Sequence, residues 1–166
     1  MALIVHKYGG TSMGSTERIK LVAKRVAKWA RAGHKMVVVP SAMSGETNRL
    51  LALAKELAPA KPGDAYNREL DMLASTGEQA SSALLAIALQ AEGLEAVSYA
   101  GWQVAIKTNS AHTKARIESI DDKKVRADLD AGRVVIVTGF QGVDDLGNIT
   151  TLGRGGSDTS AVAVAA

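Results

Sequence analysis

The chain has 166 residues, enough for one domain with a real hydrophobic core, and its lack of cysteine excludes disulfides and thiolate metal sites. Aromatic residues make up 4% of it, too few for a β-sandwich built on aromatic core pairs, and no apolar run approaches the roughly 18 residues that a membrane helix needs. The net charge of +3 is only mildly basic. We therefore expect a cytoplasmic protein that binds neither membrane nor nucleic acid.

Apolar periodicity and turn residues predict alternating strands and helices in the first half. The N-terminal apolar run has no charged leader before it, which is typical of a strand and not of a signal peptide. Ser15 and Gly33 fit the two ends of a first helix whose basic side chains lie opposite an apolar face. The elements are a strand at 2–8, a helix at about 16–32, a strand at 35–42, a helix at 45–59 stopped by Pro59, a loop at 60–64, and two helices within 65–93 that break near Ser75, Thr76 and Gly77.

The second half continues the alternation with shorter elements. Its clearest strand is RVVIVTGF, a β-branched run of the kind that is buried on both faces. A glycine-rich turn then opens a last helix. The predicted elements are strands at 94–100 and 103–109, a polar helix at 121–132, the strand at 133–140, and a hairpin at 142–153 that turns through Leu146, Gly147 and Asn148.

Unbroken apolar strands separated by helices predict an α/β fold, a three-layer αβα sandwich with a mainly parallel sheet and helices on both faces. In such sheets ligands bind at the carboxyl ends of the strands. Four polar, glycine-containing segments follow strands or the hairpin and are expected to converge there: 7–12, 40–48, 138–142 and 151–160.

Two of these segments have the composition of an anion site. Glycines let main-chain N–H groups approach a ligand, and a helix N-terminus offers unpaired donors. Two anion sites indicate two anionic ligands, such as a nucleotide phosphate and a carboxylate substrate, although the glycines would also suit tight turns alone. Each segment carries a cation: Lys7 beside Gly9, Gly10 and Gly14, and Arg154 among Gly153, Gly155 and Gly156.

Several common motifs are absent from the sequence. It has no G-x-x-x-x-G-K-[ST] phosphate loop, no G-x-G-x-x-G dinucleotide turn and no G-x-S-x-G nucleophile elbow. His6, His34 and His112 lack metal-ligand spacing. We expect these histidines to be structural or solvated and predict no protein metal site.

Five ordered blocks of the chain resemble the signature of aspartokinase, a member of the amino acid kinase superfamily. The resemblance runs from residue 2 to the end, and Tyr8, where Phe is expected, is a mild departure that puts nothing in doubt. The blocks are KYGGTS at 7–12, VVVPSAMSGETNRL at 37–50, STGE at 75–78, TGFQG at 138–142 and TTLGRGGSDTSA at 150–161.

The resemblance implies phosphoryl transfer from ATP, with Mg²⁺, to the β-carboxylate of L-aspartate, a step toward lysine, threonine and methionine. No covalent enzyme intermediate is needed, so catalysis consists mainly of positioning and charge stabilisation. By resemblance, Lys7 contacts the transferring phosphoryl group, and ATP is bound by Tyr8, Gly9, Gly10 and Ser41. The substrate is bound by Thr47 and by Glu78, which holds its α-ammonium, while Arg154 clamps a carboxylate beside Gly155, Gly156 and Ser157. Asp158 fixes the cations or a Mg²⁺ shell.

Structural interpretations stay open for several of these residues. Glu78 and Asp158 would also fit as acids in the first turn of a helix, where the helix dipole favours them. Ser41 and Thr47 would also fit as turn or cap residues.

The resemblance further implies that residues 1–166 form the N-terminal portion of a kinase domain. The nucleotide-side half and the ACT regulatory domains are absent, so we expect weak isolated activity and a homo-oligomeric whole enzyme. Three alternatives remain: a kinase of another amino acid such as glutamate, a non-catalytic module that binds an acidic metabolite, and a nucleic-acid module that uses Lys24, Arg25 and Lys28.

Overall fold

The computed structural model describes residues 1–58, 63–153 and 156–166, except the side chain of Ser157. Pro59, expected to stop a helix, lies outside these residues, as do Arg154 and Gly155. The described elements are β1 Leu3–Tyr8, α1 Thr16–Arg31, β2 Lys35–Pro40, α2 Glu46–Leu57, α3 Asp64–Ala91, β3 Ala96–Tyr99, β4 Ile106–Thr108, β5 Ile117–Ile120, α4 Lys123–Asp130, β6 Val134–Val137, β7 Gln141–Val143, β8 Ile149–Thr151 and α5 Gly156–Ala165.

The main sheet has the strand order β1-β2-β6-β3, and all its neighbours pair in parallel. Successive strand residues point to opposite faces, so Met36 and Val38 pack on one side while Val37 and Val39 pack on the other. Helices α1 and α3 cover the first face, and α4 and α5 contribute to the second. The predicted α/β fold with helices on both faces of a parallel sheet is confirmed.

Helix α1 follows its sequence pattern closely. Ser15 is the N-cap, and its Oγ accepts a hydrogen bond from Arg18 N at 3.2 Å. The buried residues recur at helical spacing, and the basic side chains are exposed on the opposite face. The buried set is Ile19, Val22, Ala23, Val26 and Ala27.

A second sheet, in the order β5-β4-β7-β8, was not predicted. The hairpin within it is confirmed, since β7 and β8 pair antiparallel. The strand expected at 103–109 is reduced to β4, because the residues before it form turns and Ala105 has a φ of 46°. Strand β5 is only half-buried, so it carries little hydrophobic signal.

The prediction of two helices broken near Ser75 is wrong, because α3 is one helix of 28 residues. The hydroxyls of Ser75 and Thr76 donate back to the carbonyls three residues earlier, at 2.9 and 2.7 Å, and so continue the helical turn. Gly77 faces α2 and the segment before it: an added Cβ would lie 3.2 Å from Ala42 Cβ and 3.7 Å from Leu50 Cδ1. Tertiary packing therefore overrides the weak local propensity of these residues. Despite this length, no described helix is both long and apolar enough to cross a membrane.

Candidate functional site

The carboxyl ends of the parallel strands bring the predicted segments together. Ser41 N donates to Tyr8 O at 2.8 Å, which joins the segments that follow β2 and β1. Leu152 N donates to Phe140 O at 2.8 Å, which joins the end of the hairpin to the segment after β6. These bonds join the segments in two pairs, and the contact between Lys7 and Asp158 brings the two pairs together, as the sequence predicted.

Lys7 lies at this edge, close to the first glycine turn. Its Nζ is 3.0 Å from Asp158 Oδ1 in the first turn of α5, and a Cβ added to Gly9 would be 3.5 Å from the same nitrogen. The ammonium is therefore held beside the main chain of Gly9 and beside the helix N-terminus. A Cβ added to Gly10 would lie 3.4 Å from Ala42 O, so the first turn also packs on the second segment. A cation close to main-chain donors is suited to an anion.

The ring of Tyr8 does not face this turn. It is 8% exposed, and its hydroxyl is 3.2 Å from His6 Nδ1. Burial raises the pKa of Tyr8, and the nearby Arg25 partly offsets that increase. Burial likewise lowers the pKa of His6, with a smaller contribution from Arg25. A contact between Tyr8 and a ligand would therefore have to come from its main chain.

Phe140 is a site residue that the sequence reasoning missed as an individual. It has a φ of 71°, which is strained for a bulky side chain and is expected where the surroundings fix the backbone. Its N–H donates to Ser160 Oγ at 3.0 Å. A Cβ added to Gly156 would lie 2.5 Å from Phe140 Cδ2, so only glycine fits at the start of α5. Its status as the one phenylalanine in the sequence, directly after a buried strand, was the available signal.

Helix α3 carries a buried polar stripe along this edge. Asp71, Ser75, Glu78 and Ser82 follow the spacing of one helix face, and none is more than 5% exposed. Three positions along the stripe accept hydrogen bonds from different parts of the chain. Asp71 accepts one from Thr151 N at 3.0 Å, and Ser75 O accepts one from Gln141 Nε2 at 3.0 Å. Ser82 Oγ accepts one from Thr138 Oγ1 at 3.1 Å. Helix α3 therefore sets the register of the segments that converge on the sheet edge.

Glu78 differs from the rest of the stripe. Its Oε2 is buried and has no hydrogen-bond partner among the residues that the structure describes. Burial raises the pKa of Glu78 to about 7, and hydrogen bonds from the main chain of Glu78 and Ala42 offset part of the increase. An unsatisfied buried carboxylate oxygen costs roughly 1–3 kcal/mol, which a ligand that donates hydrogen bonds would recover.

The alternative role for Glu78, a first-turn acid that interacts with the helix dipole, is wrong. Helix α3 begins at Asp64, so Glu78 lies in its interior. The dipole effect is confined to the first and last turns. Burial in a helix interior without a full set of partners instead favours a ligand-binding role.

Glu78 borders a concave pocket of about 350 Å³. Ser41 and Thr47 also line it, and both are partly buried. Helix α2 begins after Gly45, which has a φ of 79° and provides no side-chain cap, so neither hydroxyl is the N-cap of α2. Gly10 borders the same pocket and connects it to the turn beside Lys7. The pocket therefore combines a buried carboxylate, hydroxyls and a glycine turn.

The remaining predicted site residues belong to the last glycine-rich segment and the first turn of α5. Arg154 and Gly155 lie outside the described residues, and nothing is described of the side chain of Ser157. Asp158 is exposed in the first turn of α5, where the helix-acid interpretation and the Lys7 contact are both satisfied. Within the described part of the chain, no group of three or more His, Asp or Glu side chains could hold a metal ion.

The chain is similar to known kinases in both sequence and fold. The sequence model of the amino acid kinase family matches residues 2–166. The aspartate kinase of Pseudomonas fluorescens is 64% identical over the whole chain, which spans 40% of that protein. The structure of aspartate kinase from Synechocystis aligns with 99% of this chain, and the alignment covers 26% of the Synechocystis chain, with a TM-score of 0.81 and 45% sequence identity. The structure of E. coli aspartokinase III in complex with aspartate and ADP aligns with 94% of this chain, and the alignment covers 44% of the E. coli chain, with a TM-score of 0.80 and 26% sequence identity.

Proposed function

The chain belongs to the amino acid kinase family, and from this premise we propose that it forms the substrate side of an aspartate kinase. The reaction is transfer of the γ-phosphoryl group of ATP to the β-carboxylate of L-aspartate. A carboxylate oxygen forms the new bond to phosphorus, the bond to the bridging oxygen breaks, and ADP leaves with that electron pair. The product, 4-phospho-L-aspartate, would feed the synthesis of lysine, threonine and methionine. Two comparisons support the proposal: the 64% identity with an aspartate kinase and the likeness to a kinase bound to aspartate and ADP.

The buried Oε2 of Glu78, which has no hydrogen-bond partner in the described part of the chain, is the observation that carries the assignment of the substrate pocket. The α-ammonium of aspartate has three N–H donors and a positive charge, which match an ionised carboxylate. Formation of this pair in a buried pocket would keep Glu78 ionised, because an opposite charge lowers a carboxyl pKa. Thr47 lines the same pocket and is assigned to the substrate as well. Arg154, Gly155, Gly156 and Ser157 remain the predicted carboxylate clamp.

Lys7 is assigned to the transferring phosphoryl group. Its ammonium lies beside Gly9, whose N–H, with that of Gly10, would approach the phosphate oxygens. Ser41 would orient a nucleotide phosphate. Charge stabilisation by such groups is the main contribution a protein makes to this reaction.

Mg²⁺ would enter with ATP. Magnesium keeps several waters and uses one or two protein carboxylates besides phosphate oxygens. Asp158, an exposed carboxylate 3.0 Å from Lys7 Nζ, fits this requirement as well as the role of orienting Lys7. The ion would neutralise charge on the phosphates, and Lys7 would do so at the transferring group.

The whole enzyme is proposed to contain more than this chain. The Pseudomonas relative is much longer, since the chain spans 40% of it. We assign the rest of the nucleotide site to further kinase-domain sequence, regulation to ACT domains, and assembly to a homo-oligomer. This division predicts that residues 1–166 alone bind L-aspartate but catalyse phosphoryl transfer weakly or not at all.

Calorimetric titration of this chain with L-aspartate and, separately, with Mg-ATP tests the proposal. We expect L-aspartate to bind, L-glutamate to bind more weakly, and Glu78→Gln to abolish the aspartate signal. Glu69→Gln is the matched control, because Glu69 is an exposed acid on the same helix that pairs with Arg68. Equal affinity of wild type and Glu78→Gln for L-aspartate would contradict the assignment. A whole wild-type enzyme that binds L-aspartate but transfers no phosphoryl group from Mg-ATP would favour a non-catalytic metabolite-binding module.

A further inference from the structure

A second buried polar cluster joins α3 to the β7–β8 hairpin and to the loop before β5. Its centre is Asp71, which is 1% exposed. The carboxylate accepts hydrogen bonds from Thr113 N and Thr151 N, each at 3.0 Å, from Thr151 Oγ1, and from His112 Nδ1 at 2.8 Å. These donors fill the acceptor capacity of one ionised carboxylate. Asp71 thus holds protein groups, whereas Glu78 on the same helix has an oxygen without a hydrogen-bond partner among the described residues.

His112 extends the cluster to the hairpin turn. Its Nδ1 donates to Asp71, and its Nε2 is 3.9 Å from Asp144 Oδ2. Asp144 is itself fixed by Ser110 Oγ at 2.9 Å and by the main chain of the turn, through Leu146 N at 3.0 Å and Asn148 N at 2.9 Å. The hairpin is therefore attached to α3 at β8 through Asp71, and its turn contacts α3 through Arg68 Nε, which donates to Asn148 Oδ1 at 2.8 Å.

The backbone next to His112 shows that this attachment imposes a conformation. Thr113 has a φ of 72°, an uncommon value for a β-branched residue. Such conformations persist only where the surroundings fix them. Here both Asp71 oxygens accept the Thr113 N–H, at 3.0 and 3.1 Å.

The cluster is connected to the proposed substrate pocket through two routes. Along α3, Asp71 precedes Glu78 by two turns on the same face. Along the chain, β8 ends at Thr151, and the next residue, Leu152, donates to Phe140 O. Gly156, at the start of α5, packs on both Phe140 and Leu152.

We propose that Asp71 is a positioning residue: by holding Thr151 it fixes β8, and through β8 the start of α5, relative to Glu78. This inference rests on the proposed function for the identity of the ligand, but not for the structural coupling itself. Asp71 would not touch aspartate. It would keep the start of α5 at a fixed separation from Glu78, the residue proposed to bind the α-ammonium.

Two neighbouring threonines provide a matched test. Thr151 Oγ1 donates to Asp71, whereas the hydroxyl of Thr150 bonds to Thr108 Oγ1 on the other face of the strand. Both threonines are at least 97% buried, so Thr151→Val and Thr150→Val each remove one buried hydroxyl from the same strand. A purely structural role predicts the same result for both.

We expect Thr151→Val to raise the dissociation constant for L-aspartate about tenfold and Thr150→Val to change it less than about twofold, at comparable losses of thermal stability. Thr151→Ser, which restores the hydroxyl, should recover wild-type affinity. Hydrogen exchange without ligand gives a second measurement. The N–H of Leu152 should exchange faster in Thr151→Val than in Thr150→Val.

These measurements separate the two proposals. If wild-type chain binds no L-aspartate, the proposed function fails, and the exchange of Leu152 N–H still decides the positioning role. If affinity and exchange respond equally to the two valine variants, Asp71 is a structural residue and the inference is overturned. If a valine variant does not fold, Thr151→Ala against Thr150→Ala gives the comparison, since alanine also removes the hydroxyl, and equal behaviour of those two variants likewise overturns it.

Discussion

Lys7 Nζ lies 3.0 Å from Asp158 Oδ1, so the end of β1 is paired with the first turn of α5 across the proposed phosphate site. The two side chains are 30% and 69% exposed. A pair this accessible to water contributes at most about 1 kcal/mol to stability. Its arrangement beside Gly9 is therefore better explained by ligand binding than by stability.

Lys7→Ala should abolish phosphoryl transfer to L-aspartate in a whole enzyme while it leaves the thermal stability of the chain nearly unchanged. The physical reason is that Lys7 would neutralise charge developing on the transferred group. Lys35→Ala is the control, because Lys35 pairs with Asp130 at 2.6 Å with exposures of 36% and 70%. Chemical denaturation and a coupled ADP-release assay check both variants. Equal losses of activity in the two variants would contradict the role of Lys7.

Glu78 should make the free energy of unfolding fall as pH rises. Its folded pKa is raised from 4.5 to about 7, mainly by burial. Between these values the folded chain holds a proton that the unfolded chain has lost, so stability is lost as pH increases through this window. The difference corresponds to roughly 3 kcal/mol.

Urea denaturation at pH 5 and pH 8 measures this effect as the difference between wild type and Glu78→Gln. Glutamine cannot ionise, so this variant should lack the Glu78 contribution, whereas Glu69→Gln should keep the wild-type pH dependence. A wild-type profile parallel to that of Glu78→Gln would show that Glu78 does not titrate in this range.

The same titration has the opposite effect on binding. The α-ammonium of aspartate requires an ionised Glu78, and the ionised fraction in the empty pocket rises about tenfold between pH 6 and pH 8 for a pKa of about 7. The affinity for L-aspartate should therefore increase about tenfold over this range. Calorimetry in buffers of different ionisation enthalpy should detect proton release on binding near pH 6. Binding that is independent of pH and releases no proton would place the ammonium elsewhere.

Local sequence patterns were sufficient for the elements whose burial follows a simple period. Strand β6 has four fully buried β-branched residues, and α1 has a clear apolar face with Ser15 as its cap. They were not sufficient where tertiary packing decides. Gly77 suggested a helix break, yet it permits the close approach of Ala42 to α3.

The site shows the same division. Lys7 and Glu78 stand in recognisable blocks of sequence. In the structure, Lys7 lies at the carboxyl edge of the sheet, and Glu78 borders the pocket at that edge. No pattern connects His112 to Asp71, because they are 41 residues apart and meet only after α3 packs on the hairpin. Of the two roles expected for His112, structural or solvated, the structure shows the structural one, since its side chain is only 9% exposed.

Gly156→Ala should destabilise the chain and displace the start of α5. The new Cβ would lie 2.5 Å from Phe140 Cδ2 and 2.9 Å from Leu152 Cβ, so the ring or the helix must move. Overpacking of this kind costs about 1–3 kcal/mol. Displacement of the helix would also break the hydrogen bond from Phe140 N to Ser160 Oγ.

Gly153→Ala is the matched control on the same segment, because its Cβ would meet nothing closer than 3.8 Å. Denaturant titration should show a loss of stability for Gly156→Ala and almost none for Gly153→Ala. Hydrogen exchange at Phe140 N–H should rise only in the first variant, since the acceptor Ser160 Oγ belongs to the displaced helix. If Gly156→Ala were as stable as wild type, α5 would be free to shift without cost, and the contact of Gly156 with Phe140 would not fix the position of Asp158 beside Lys7.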